Sequence, residues 1–232
     1  MNDESGTSNM QSIYQRALGA DFARLQPELQ AYFGLHAGAG QAGVGSGTFD
    51  VAGCPAWFIR PFFRLAAAEN SFFPEYGTNI RFSITNYPHT DPFGRPSLTA
   101  RRVLHFPGVD RVFEDTTSDD QGQLLDYVGA HRMTLTDLTC SVTPTGRMRM
   151  VSTRTRVFAG PVRLPVPDVV GAQAYMEQWW DEEAGRFRIQ TRVIHRQLGT
   201  LLVYAGAFDY QLVDFDGVLP AVATPLGWEK RS

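Results

Sequence analysis

A mainly β fold with helical additions (α+β) is predicted for this chain, built as an antiparallel meander barrel or a strongly curved sheet. Three observations predict it. From about Asn79 to Val213 the chain reads as one alternating segment after another. Turn-forming clusters, not helical spacings, separate those segments. Just before them stands an unusually aromatic stretch from Pro55 to Leu65, followed by Phe72 and Phe73. A closed sheet with an apolar segment at its mouth is a common container for a small apolar molecule. An ordinary β core with one aromatic helix packed on it has the same pattern.

In chain order, residues 1–11 are polar and acidic and are expected to be disordered, with no basic and apolar leader. From Ser12 onward, Tyr14, Leu18, Phe22, Leu25, Leu29 and Tyr32 recur every three or four residues, which predicts an amphipathic helix. Pro27 divides it and Gly34 stops it. The glycine-rich run Gly38–Gly47 lacks the lysine of a phosphate loop, and reads as a flexible entry to a first strand ending near Thr48–Val51. Pro55 suits the first turn of a helix, which Pro61 would kink or break. Trp57, Phe58, Ile59, Phe62, Phe63 and Leu65 occupy nearly every side of that helix. Burial on one face cannot satisfy them. Core, ligand mouth and a membrane or partner surface edged by Arg60 and Arg64 all remain open as placements.

The strand series starts where Ile80, Phe82 and Ile84 alternate with polar residues. Pro88–Pro96 reads as a hairpin loop. Further strands are expected at Leu98–Phe106, Arg111–Asp115, Gln123–Val128, His131–Val142, Met148–Phe158, Tyr175–Asp181, Phe187–His195 and Leu201–Val213. The last of these is apolar on both faces, so something must cover its outside, and the N-terminal helix is the candidate. The expectation is a calycin-like barrel with an N-terminal amphipathic helix and the aromatic segment at the cavity mouth, although a two-sheet sandwich shares the pattern. Residues 12–215 form a single domain, with 216–232 as a C-terminal tail.

Composition narrows the function classes. The 232 residues are 43% hydrophobic and 19% charged, ordinary values for a globular protein. A net charge of −3 gives no electrostatic case for nucleic acid. Lys230 is the only lysine, which speaks of a GC-rich genome. Cys54 and Cys140 are read as free buried thiols. No apolar run approaches the ~20 residues that span a bilayer, and a cytoplasmic location is expected. The five histidines, His36, His89, His105, His131 and His195, lack metal-ligand spacing, so no metal and no cofactor is expected.

Several segments together resemble an uncharacterised bacterial family, the domain of unknown function 4166. They are Ile13 through Leu29, Gly47 through Val51, Phe187 through Thr191, and Leu198 through Gly206. The resemblance covers most of residues 13 to 211. It implies that such a domain occurs alone or fused to saccharopine-dehydrogenase-like oxidoreductases, and it brings no activity or catalytic residue. This chain departs from the family pattern at His195 and Arg196, where an apolar residue and proline are usual, and in the phenylalanine richness of residues 55–76.

Two groups of residues carry the functional expectation. On the strand His131–Val142, parity places His131 and Asp137 on one face with Met133 and Leu135. Ionisable groups against an apolar interior have shifted pKa values, which makes the pair candidates for general acid–base work. An outward face, or two satisfied structural groups, is the plainer reading and carries the greater weight. Asp126, between Leu124 and Val128, poses the same question. His105 shares a face with Thr99 and Arg101 and reads as solvent-side. Trp57, Phe62, Phe63, Phe72, Phe73, Met133, Trp179 and Tyr204 are the candidate ligand-binding residues, and Trp179 and Trp180 fall on opposite faces of one strand. The expected activity is binding of an apolar small molecule in an internal cavity. If catalytic, the protein is a cofactor-independent cyclase or isomerase of secondary metabolism acting on a polyketide- or terpenoid-like substrate. A lipid or metabolite carrier and an interaction module for an oxidoreductase are the alternatives.

Overall fold

The structure, a computed structural model, describes residues 10–167 and 171–232. All but the last two residues of the expected disordered N-terminus therefore lie outside the described residues. The strands are β1 (Gln41–Gly53), β2 (Tyr76–Thr90), β3 (Pro96–Phe106), β4 (Val109–Asp120), β5 (Gln123–Val128), β6 (Thr134–Val142), β7 (Met148–Ala159), β8 (Val162–Pro165), β9 (Ala172–Asp181), β10 (Arg186–His195) and β11 (Gly199–Asp214). Each of β1 to β7 pairs antiparallel with the next, β7 pairs with β9, and β9, β10 and β11 lead back to β1. The result is a closed antiparallel barrel of ten strands. Strand β8 pairs with the far end of β7, outside the ring. The predicted strands are present, most of them longer than their alternation alone indicated.

Four local expectations change, each for a physical reason. The glycine run is strand from Gln41 onward, because glycine there lets aromatic rings lie against the backbone. A Cβ on Gly43 would stand 1.6 Å from the Tyr210 hydroxyl, and one on Gly47 would stand 2.6 Å from the Phe208 Cβ. Strand β2 continues through Pro88, beyond Asn86, the last residue that β1 pairs with, where a missing N–H is tolerated. Pro61 opens the mouth helix (Arg60–Ala67), a position whose N–H has no helical partner to lose. Finally, β6 begins only at Thr134. His131 to Met133 form a turn in which Arg132 takes a left-handed φ of 56°, so strand parity does not run back to His131.

The N-terminal segment closes one end of the barrel and does not cover the outside of β11. Helix α1 (Ile13–Leu18) starts with a capping box between Ser12 and Gln15, and α2 (Pro27–Phe33) starts on Pro27. Arg16 Nε donates to Asp119 of β4 at 2.5 Å, while Gln26 exchanges two hydrogen bonds with the Trp180 backbone. Both contacts hold this plug at the rim. Tyr32 of α2 packs on Phe187, Phe208 and Tyr210 with ring centroids 4.3–6.0 Å apart, and its hydroxyl accepts from Asn86 Nδ2 at 3.1 Å. The mouth helix, now α3, occupies the other end. There Phe63 stacks on Phe72 at 5.1 Å, and Phe72 meets Phe113 edge-on.

Part of the barrel interior is solid. Phe49 and Phe82 stack with centroids 3.7 Å apart, and Tyr204 and Phe208 complete an aromatic mass along β1, β2 and β11. A smaller outer core of Leu125, Tyr127, Leu135 and Phe158 lies against the C-terminal tail. The tail is held there by Leu226 N–H on the Ala130 carbonyl (2.8 Å) and by the Tyr127 hydroxyl on the Arg231 carbonyl (3.0 Å). Among the described residues no helix is long and apolar enough to cross a membrane.

Candidate functional site

The barrel is not filled throughout. Beside the aromatic mass remains a cavity of about 240 Å³, bounded by Tyr14, Tyr32 and Phe33 of the plug and by Phe72 below the mouth helix. Its wall is divided. Ala174 and Met176 of β9, Ile189 and Val193 of β10 and Leu202 of β11 make one side mostly apolar, interrupted by Gln178, Thr191 and Tyr204. Strands β3 to β7 make the other side, where Arg102, Asp115, Thr117, Asp126, Thr136 and Ser152 stand among apolar residues such as Ala100, Phe113 and Leu138. Strand alternation explains the polar side. On β3 the inward set is Leu98, Ala100, Arg102 and Leu104, and on β4 it is Phe113, Asp115 and Thr117, so each strand contributes a charge within an apolar row.

The polar groups form a small network. Arg102 Nη1 donates to Asp115 Oδ1 at 2.6 Å, and its guanidinium lies over the Phe113 ring at 5.6 Å. Burial opposes the Arg102 charge, but the Asp115 carboxylate, Tyr204 and Tyr32 together outweigh burial and raise its pKa. Register places Thr117, Asp126 and Thr136 side by side on β4, β5 and β6. The Thr117 hydroxyl donates to Asp126 Oδ1 at 3.2 Å. Burial, and next the neighbouring Asp115 charge, pushes Asp126 up to about 8. Asp126 therefore holds its proton well above the usual carboxylate range, and it faces the cavity.

This has a consequence for stability. The unfolded chain releases the Asp126 proton near ~3.9, whereas the folded protein holds it to about pH 8. Between those values the folded state binds more protons, so this group's contribution to stability falls as pH rises and levels off above about 8. Asp126→Asn has no proton to lose. Urea midpoints compared at pH 5 and pH 8 should fall less for this variant than for the parent protein.

The sequence-predicted residues are distributed unevenly about this site. Tyr204 and Phe72 line the cavity, while Phe63 and Phe73 are buried in the core beside it. Trp57, Phe62 and Met133 are exposed. Trp179 faces outward under Arg147 at 4.7 Å, whereas Trp180 packs inside on Phe187. His131 is on the surface, with Nδ1 2.6 Å from Glu69 Oε2. Asp137 is buried but turned away from the cavity, where Arg156 meets it at 2.6 and 3.1 Å. His105 is solvent-side, paired with Asp110. Of the polar residues weighed in the sequence, Asp126 is the one that reaches the cavity. Arg102, Asp115, Thr136 and Gln178 were missed, although Arg102 amid Leu98, Ala100 and Leu104 was a readable signal. Cys54 and Cys140 are free thiols.

The family model for a domain of unknown function (DUF4166) matches residues 25–208, from the second plug helix to β11. The chain is also similar to the uncharacterized protein YndH of Bacillus subtilis (strain 168), with 25% identity over 201 residues, 86% of this chain and 97% of that protein.

Proposed function

We propose, for a chain that belongs to the domain of unknown function 4166 (DUF4166) family, that the barrel interior binds a small, mostly apolar molecule. The observation that carries this reading is the cavity of about 240 Å³, whose lining is largely apolar with its charged groups, Arg102, Asp115 and Asp126, on one side. A void of ~150 Å³ already accepts benzene, and ligand pockets begin near ~300 Å³, so the occupant is compact. Native mass spectrometry of the purified protein, followed by identification of what denaturation releases, tests the reading directly. Filling the void is the complementary test. Ala174→Phe places a ring in the cavity, and should reduce binding of any occupant at least tenfold with an unchanged melting temperature.

Catalysis is the second reading, and Asp126 favours it. A carboxyl that keeps its proton beside an ionised partner is suited to general-acid chemistry. The acid–base roles first assigned to His131 and Asp137 pass on this reading to Asp126 and Asp115. The reaction would be a cofactor-independent isomerisation or cyclisation of a short polyketide- or terpenoid-like substrate. Asp126→Asn would then abolish turnover and keep binding. A carrier would be indifferent to that change, and the exposed Trp57, Phe62 and Leu65 near the mouth suit one that collects its ligand from another apolar surface.

A further inference from the structure

The cavity wall has hydrogen-bonding capacity to spare: the Thr136 and Thr191 hydroxyls and the Gln178 amide nitrogen line it without a partner, and each of the three can donate. Asp115 is matched by Arg102. Asp126 receives one hydrogen bond, on Oδ1 from Thr117, and no described cation forms an ion pair with it. Its cross-strand neighbour Thr136 is only 9% exposed, and the hydroxyl has no partner. Gln178 of β9 is 1% exposed and lines the same cavity with an unpartnered Nε2. Buried polar atoms rarely stay unpaired, and an unmet donor costs about 1–3 kcal/mol, so these atoms point to an acceptor that enters from outside.

The charges narrow the class. Asp126 interacts with Asp115, Arg102 and, from the outer face, Arg132, and it is felt by Tyr14 of the plug and Tyr204 of β11. A carboxylate ligand would join two acids whose one inward-facing cation is already committed. An ammonium head would meet the Arg102 charge and carries no acceptor for the donors on the wall. Resting on the container reading above, we propose that the occupant is a compact neutral molecule whose polar end is a carbonyl oxygen held by the Asp126 carboxyl proton and the Thr136 hydroxyl. A second acceptor along its length serves Gln178.

Four probes of one chain length test this by ligand-detected NMR at pH 6.5 and pH 9.5: 2-octanone, octanoate, octylamine and n-octane. The ketone should bind at least tenfold more tightly than the others at pH 6.5. It should lose at least tenfold at pH 9.5, where Asp126 gives up its proton. Asp126→Asn, whose amide donates at either pH, should keep ketone binding and abolish the pH loss. Thr136→Val should weaken the ketone and leave octane unchanged, which serves if the Asp126 variant fails to fold. Preference for the amine or the carboxylate overturns the carbonyl assignment. Equal binding of ketone and octane also overturns it and leaves the container reading standing. Failure of all four probes to bind overturns both.

Discussion

Replacing Arg156 with alanine is expected to lower the unfolding free energy by about 3–5 kcal/mol, the cost of stranding a buried carboxylate. Asp137 and Arg156 are 4% and 6% exposed and share two hydrogen bonds on the outer side of β6 and β7. Arg154, largely exposed, lies 3.4 Å from Asp137 and can soften the loss, which favours the lower end of that range. Replacing both partners with apolar residues, Asp137→Leu with Arg156→Met, removes both charges and should recover most of the stability. Urea unfolding measures each case. Occupancy of the cavity should be unchanged in the folded fraction, because neither side chain lines it. Loss of binding or turnover in Asp137→Asn at unchanged stability would instead return Asp137 to the functional site.

Phe208→Ala is expected to cost about 3–5 kcal/mol as well, through lost burial and the void left behind. Phe208 is 1% exposed and its ring meets Tyr32, Phe82, Phe187 and Tyr210 at centroid distances of 5.4–6.5 Å. It therefore joins the plug to the solid part of the barrel, and its Cβ covers Gly47 where no other residue would fit. The void should also merge with the neighbouring cavity. The variant is thus expected to melt at lower temperature and to accept ligands too bulky for the parent protein. Calorimetry measures the first effect and a graded series of ketones the second. An unchanged size limit would mean that the barrel collapses around the deletion.

Much of the scaffold was legible because local rules govern it. Most of the barrel strands announce themselves by alternation and by turns, the glycine-rich half of β1 being the exception, and helix starts at Ser12 and Pro27 follow from capping and proline chemistry. The site was only partly legible. Asp126 stood out as an acid within an apolar alternation, but the same argument misassigned the side of His131, because one left-handed residue at Arg132 interrupts the parity it relied on. The sequence determined by itself that the chain forms antiparallel strands preceded by an aromatic helical segment, since each strand's pattern depends on neighbours two residues away. Only the tertiary structure decided that the first strand β1 pairs with the last, β11, and that β7 pairs with β9, which closes a ring and excludes a sandwich. It also decided that the N-terminal helices plug the ring, and that Arg102, Asp115, Asp126 and Thr136 meet on one wall. Those contacts join residues far apart in the chain, 103 positions for Arg16 with Asp119 and 154 for Gln26 with Trp180. Long-range register brings them together, and no local pattern encodes it.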